Sequence, residues 1–254
     1  MPDSKAAIGS AGVAIVTGAG RGIGSAIAAR LHRDGYRVAV VDRDAATATA
    51  VASQLDSTFR SATQILADVG DPTDLDRAVD EVEALWGPAA VLVNNAAITA
   101  PGSVWEVGVD EWDAVLRVNL RSVFLLSQRC GANMRTAGWG RIVNLTSLAG
   151  QQGSLLAGVH YAAAKAGVIA VTKTFAGDLA PHGVTVNAVA PALIATPAVT
   201  ALGEASVHAA VRHVPVGRLG SSEEAASAVG YLCSEEAAFI TGATLDINGG
   251  LHMR

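Results

Sequence analysis

Short runs of aliphatic residues alternate along this chain with longer stretches in which apolar positions recur every three or four residues. Val13 to Thr17 is the first such run, followed by glycines and a helical pattern from Ile23 to Arg33; Arg37 to Val41 is the second. Further apolar runs fall at Ile65 to Ala67, Val91 to Asn94, Arg141 to Leu145, Val184 to Val189 and Ala243 to Ile247. Between them lie amphipathic stretches at Ala45 to Leu55, Leu75 to Trp86, Asp110 to Met134 and Tyr161 to Leu179. Runs without in/out alternation predict strands buried on both faces, and strands separated by helices predict parallel pairing with right-handed crossovers. The pattern predicts an α/β fold: a single doubly wound, Rossmann-like domain over 1–254, with a central parallel sheet flanked by helices. No repeat or Pro/Gly/Ser-rich linker divides it. One stretch, Ala192 to Gly217, follows Pro191 and is punctuated by Pro197 and Pro215. It is too long for an ordinary loop, so it is expected to carry short helices and to serve as a substrate lid; a surface insertion without a role is the alternative.

Composition narrows the picture. Half the residues are apolar but only 4% are aromatic, so the core must be built from Ala, Val, Leu and Ile. A net charge of −5 provides no basic footprint for nucleic acid or an anionic membrane. Cys130 and Cys233 are isolated, with neither disulfide-framework nor metal-ligand spacing, and read as reduced thiols; no metal is expected. Met1 to Gly12 lacks the features of a signal peptide. The uncharged run Ile142 to Ala164 is long enough to cross a bilayer, yet Asn144, Thr146, Ser147, Gln151 and Gln152 make it too polar. A cytoplasmic protein is expected.

Two stretches carry chemistry. Tyr161 and Lys165 stand four apart in an Ala-rich run, which on a helix puts phenol and ammonium on one face. An ammonium within about 4 to 6 Å lowers a phenol's pKa by about 1 to 3 units, which would let Tyr161 exchange a proton with an alcohol or carbonyl. The bland alternative is a half-buried Tyr beside a surface Lys. At the other stretch, Thr17 to Gly24 reads TGAGRGIG, directly after the first strand and opening the first helix. Gly18, Gly22 and Gly24 would let backbone N–H groups approach a pyrophosphate there. Asp42 ends the second strand, where a carboxylate can accept from an adenosine ribose 2′-OH and would repel a 2′-phosphate. NAD is therefore the expected cofactor. Arg21 and Arg43 could instead reach a phosphate, keeping NADP possible, or could be solvated surface charges.

TGAGRGIG at 17–24, NNAA at 94–97, Asn119 in VNL, Ser147, and Tyr161-x-x-x-Lys165 together resemble the short-chain dehydrogenase/reductase family, over nearly the whole chain. The resemblance implies an oxidoreductase that moves a hydride between NAD(H) and a secondary alcohol or ketone. Tyr161 would be the general acid/base, Lys165 would lower its pKa and hold the nicotinamide ribose, and Ser147 would bond the substrate oxygen. Asn119, at a kink in the Asp110 to Met134 helix, would hold a water linking Lys165 to solvent. Gly18, Arg21, Gly22, Ile23 and Gly24 would meet the pyrophosphate. Asp68 and Val69 would meet the adenine. Asn94, Asn95 and Ala96 would line the cofactor, while Pro191, Ile194 and Thr196 would meet its carboxamide end. Singly, Ser147 could cap a turn, Asn119 could satisfy helix carbonyls and Asp68 could start a turn. Ala97 and Ala192 depart from the family's NNAG and Pro-Gly, which bears on local loop geometry.

The substrate wall is expected from Ala149, Gln151, Leu155, Leu156 and His160 plus the 192–217 excursion, suiting a neutral ketone or secondary alcohol. The rival is an NADPH-dependent reductase of carrier-bound 3-oxoacyl chains. Against it, Gly138 and His182 stand where the resembling reductases place arginines that meet an acidic carrier. A nonenzymatic nucleotide sensor is a more distant alternative. The resemblance also implies a homotetramer, formed by the long helices Asp110 to Met134 and Tyr161 to Leu179 and by the C-terminal strand.

Overall fold

The structure, a computed structural model, describes residues 12–99, 101–154, 156–201 and 203–253. Leu155 of the expected substrate wall, Leu202 of the excursion, the start of the chain up to 11, and Arg254 lie outside the described residues.

The first half alternates strand and helix: β1 Val13–Thr17, α1 Gly22–Arg33, β2 Arg37–Asp42, α2 Ala45–Leu55, β3 Ala62–Leu66, α3 Pro72–Trp86 and β4 Ala89–Asn94. Then come α4 Val109–Leu116, a π-helical turn Arg117–Arg121, α5 Ser122–Ala137, β5 Gly140–Leu145, α6 Leu148–Gln152 and α7 Val159–Leu179. The chain closes with β6 Val184–Pro191, α8 Pro197–Thr200, α9 Glu204–Val211, α10 Ser222–Cys233 and β7 Thr244–Ile247. All seven strands pair in parallel in the order β3-β2-β1-β4-β5-β6-β7. This is the doubly wound architecture expected. Its strand order reverses between β1 and β4, and a crevice opens there beyond the carboxyl ends of the strands.

Alternate residues of β1 feed opposite cores. Val13 and Ile15 face the layer of α3, α5 and α7, whose Val79, Leu126 and Leu179 pack beneath them. Ala14 and Val16 face α1, α2 and α10 through Ile27, Leu31, Ala48 and Val229. Full burial of each such Val, Leu or Ile side chain is worth about 1.5 to 3 kcal/mol, which makes the sheet a rigid floor for the loops above it.

Several expectations are corrected. The third strand is Ala62–Leu66, not Ile65 to Ala67: it is the sheet edge, where Thr63 and Gln64 are only partly covered, so an apolar run marks just its end. One expectation holds: the irregularity expected in the Asp110 to Met134 helix is the π turn at Arg117–Arg121, and Asn119 sits in it. Helices α6 and α10 were not anticipated. A signal for α10 was present: Ser221 and Glu224 form a reciprocal capping box, and its buried face is built on Ala225, Ala226 and Val229. The 192–217 segment carries the short helices α8 and α9. Among the described residues, no helix is long and apolar enough to cross a membrane, and no three His, Cys, Asp or Glu side chains converge on a possible metal position.

Candidate active site

Thr17 and Asn95 fasten the two strands at the point where the strand order reverses. The Thr17 hydroxyl accepts from the N–H groups of Asn95 (3.0 Å) and Ala96 (3.1 Å). The Asn95 amide donates to the carbonyls of Thr17 (2.9 Å) and Gly18 (3.0 Å). Gly18 (φ 61°) and Gly22 (φ 58°) turn the chain through left-handed conformations. A Cβ on Gly18 would lie 2.8 Å from Ala96 Cα, and one on Gly24 would lie 2.5 Å from Asn95 Nδ2. Close approach of the two loops therefore requires glycine. Helix α1 begins at Gly22, and its N-cap residue Arg21 makes no side-chain cap. The first-turn N–H groups thus lack a protein acceptor from the cap and, at the positive end of a 12-residue helix, suit an anion. Asp42, at the end of β2, accepts from Gly20 N–H (2.9 Å) and Asp44 N–H (3.1 Å), tying the glycine turn to the second strand. This uncapped, glycine-lined cradle fits the pyrophosphate of a dinucleotide.

A cleft of about 650 Å³ runs along this turn. At one end stand Asp42, Arg43, Asp68 and Val69; the middle is Gly18, Arg21, Gly22, Ile23 and Gly24 facing Asn95 and Ala96; the far end holds Ser147, Tyr161, Lys165, Pro191 and Thr196. Three expected residues lie elsewhere. Asn94 is buried, its amide donating to Asn144 Oδ1 (2.8 Å) between adjacent strands. Ile194 is 3% exposed and pairs its backbone with Gly220. Asn119 is fully buried behind the wall. Ala67, Ile98, Val118 and Thr146 also line the cleft. Their apolar or small side chains carried no chemical signal in the sequence.

Lys165 is 2% exposed, and its Nζ donates to the Leu145 carbonyl at 2.6 Å. Nζ sits 5.7 Å from the Tyr161 ring centroid. Burial drives the ammonium's pKa down to about 8. Burial also raises the pKa of the half-buried Tyr161 phenol, opposed by a hydrogen bond with Ser147. This corrects the expectation of a phenol acidified by its neighbour. In this structure the ammonium lies over the ring face, and both groups are deep enough that desolvation dominates them. Ser147 does cap α6, accepting from Ala149 N–H at 3.1 Å. Its own hydroxyl proton is not used by that cap. Helices α6 and α7 touch closely enough that a Cβ on Gly150 would lie 2.6 Å from the Lys165 carbonyl carbon. That contact brings Ser147 to Tyr161. Thr146 Oγ1 donates to the Lys165 carbonyl at 2.7 Å and fixes the same turn from the strand side.

Asn119 bonds both backbone groups of one residue. Its Oδ1 accepts from Ile98 N–H and its Nδ2 donates to the Ile98 carbonyl, both at 2.8 Å. This pair of bonds clamps the segment after β4 against the π turn.

The comparisons with known proteins agree with this geometry. Residues 18–252 match the short-chain dehydrogenase model described as Enoyl-(Acyl carrier protein) reductase. Over 242 residues the chain is 39% identical to the 3-oxoacyl-[acyl-carrier-protein] reductase FabG of Pseudomonas aeruginosa, covering 95% of this chain and 97% of that protein. The chain belongs to the short-chain dehydrogenase/reductase family. It is also 35% identical over 250 residues to the (3R)-3-hydroxyacyl-CoA dehydrogenase of Canis lupus familiaris, covering 95% of this chain and 96% of that one. A solved structure described as ribose-5-phosphate isomerase from Brucella melitensis 16M superposes with a TM-score of 0.88 at 38% identity, covering 95% of this chain and 92% of that one. As a short-chain dehydrogenase/reductase, the protein is an NAD(P)-dependent enzyme acting on CH–OH or C=O groups.

In this short-chain dehydrogenase/reductase the expected substrate wall is redrawn. His160 is fully buried with Nε2 3.0 Å from Glu111 Oε1, and Gln151 donates to Asp246 at 2.6 Å. Neither lines the cleft, nor do Ala149 and Leu156. Its edge comes from Thr99 on one side and from Ala192, Thr196 and Pro197 of the excursion on the other.

Proposed function

We propose that this enzyme interconverts a secondary alcohol and a ketone with NAD(H), Tyr161 serving as general acid/base. The observation that carries the reading is that Ser147, Tyr161 and the buried Lys165 face the same cleft as the uncapped start of α1. The nicotinamide, when bound, accepts or supplies the hydride. Tyr161 gives its proton to the substrate oxygen in reduction and takes it back in oxidation. Ser147 donates to that oxygen and orients it against the phenol. Lys165 places a positive charge beneath the phenol and meets the ribose hydroxyls, while Thr146 and the Leu145 carbonyl hold its turn in place. The half-buried Asp42 favours NAD, because a 2′-phosphate beside its carboxylate would meet repulsion of about 1 to 4 kcal/mol. Segment 192–217 acts as the lid over the substrate end, and by family resemblance the enzyme works as a homotetramer in the cytoplasm.

Replacing Tyr161 with Phe is expected to cut turnover at least about a hundredfold while NADH still binds, the usual worth of a positioned proton-transfer group. Retained turnover in that variant refutes the assignment.

The relatives named as 3-oxoacyl-[acyl-carrier-protein] reductases favour a second reading, reduction of a carrier-bound 3-oxo chain. Gly138, a left-handed helix cap, and His182 weigh against it, since neither offers the guanidinium that the resembling reductases place there. A panel of free alcohols and ketones against 3-oxoacyl carrier protein, run with NAD and NADP in parallel, separates the two.

A further inference from the structure

The turn after β3 is held from two directions. From its own side, Asp68 N–H donates to Asp74 Oδ2 (3.1 Å), and Arg77 donates to the Leu66 carbonyl (2.6 Å); both partners sit on the helix that immediately follows. Within the turn, Gly70 N–H donates to Asp68 Oδ1 (2.8 Å), and Asp71 N–H to the Asp68 carbonyl (2.9 Å). The remaining hold comes from far along the chain. Arg121 Nη2 donates to the Gly70 carbonyl at 2.7 Å across 51 positions of sequence. Gly70 also packs onto the π turn that carries Arg121, since a Cβ there would lie 3.2 Å from Val118 Cγ2 and 3.6 Å from Arg117 Nε.

Arg121 therefore links two parts of the cleft. It closes the same π turn whose Asn119 clamps Ile98 and whose Val118 lines the cleft, as does Ile98. Asp68 and Val69 line the end of the cleft next to Asp42, away from Tyr161. We propose that Arg121 is a positioning residue for the adenosine half of the cofactor: its bond to the Gly70 carbonyl holds the Asp68–Asp71 turn in the shape that half binds. This rests on the dinucleotide reading given above. Arg121 does not line the cleft, so it acts through the turn. Without it the turn keeps only its local anchors and, at its start, the bond from Ala67 N–H to the Asp42 carbonyl (3.1 Å), and more of its ordering falls to the ligand at the moment of binding.

The test is calorimetric binding of NADH, ADP-ribose and reduced nicotinamide mononucleotide to the native enzyme, Arg121→Met and Arg121→Lys. The first two probes contain the adenosine half; the third lacks it. Arg121→Met is expected to weaken NADH and ADP-ribose by about fivefold each, the scale of one partly buried hydrogen bond. The mononucleotide is expected to bind within twofold of native, and Arg121→Lys, which keeps a donor, to recover part of the loss. Equal weakening of all three probes overturns the proposal, because it marks general loosening of the fold. Unchanged binding of ADP-ribose in a folded Arg121→Met enzyme overturns it too. If native enzyme binds none of the dinucleotide probes, the dinucleotide reading itself fails and this inference falls with it.

Discussion

Replacing Lys165 with Met isolates the energetic consequence of burying a charge beneath Tyr161. The lysine titrates near 10.5 when unfolded and near 8 in the folded, cofactor-free protein, with desolvation as the cause. Each unit is 1.36 kcal/mol, so below both values the folded protein carries a penalty of about 3 kcal/mol for keeping the ammonium charged in its 2% exposed position. The sign follows from proton counting. Between the two pKa values the unfolded chain binds more protons than the folded one, so stability rises with pH across that window. Met removes the charge and keeps the stem's volume; losing the bond to the Leu145 carbonyl offsets about 1 kcal/mol at every pH. Lys165→Met should therefore be about 2 kcal/mol more stable than native near pH 7, and about equal to it near pH 10. Urea denaturation of both proteins without cofactor, at a series of pH values, measures the gap directly. A gap that stays flat across the series, or a variant less stable near neutral pH, refutes the claim that desolvation dominates this lysine. Loss of turnover in the same variant is expected but does not test the energetics.

Two further outcomes follow from the cofactor end of the cleft. Asp42→Asn removes the charge while its amide oxygen can still accept from Gly20 N–H; kinetics with both cofactors should shift the NADP-to-NAD ratio of kcat/KM upward by at least about fivefold, the low end of the Coulomb estimate. An unchanged ratio would remove Asp42 as the selector. Gly24→Ala forces a Cβ against the Gly18 carbonyl and Asn95 Nδ2; thermal unfolding should register about 1 to 3 kcal/mol of lost stability, with weaker NADH binding from the displaced turn. Native stability and binding in that variant would contradict the close approach of the two loops.

The periodic alternation of strand and helix patterns determined the doubly wound fold, because a strand buried on both faces leaves an unbroken aliphatic run and a crossover helix leaves an amphipathic one. Likewise TGAGRGIG, Asp42, Ser147, Tyr161 and Lys165 were legible because their residue types are costly or unusual in the places where they stand. The edge strand Ala62–Leu66 shows an apolar run only at its end because an edge tolerates polar side chains, whereas the start of α10 is written locally, in the capping box of Ser221 and Glu224. Electrostatics could be decided only by tertiary structure. Sequence spacing put an ammonium near a phenol, but the depth of the site decides that burial governs the titration of both groups. The same holds for Asn119 on Ile98, His160 on Glu111 and Arg121 on Gly70. Each of these bonds joins residues at least 21 positions apart, and a side chain's partner at that distance is set by how the layers pack, which no local pattern records.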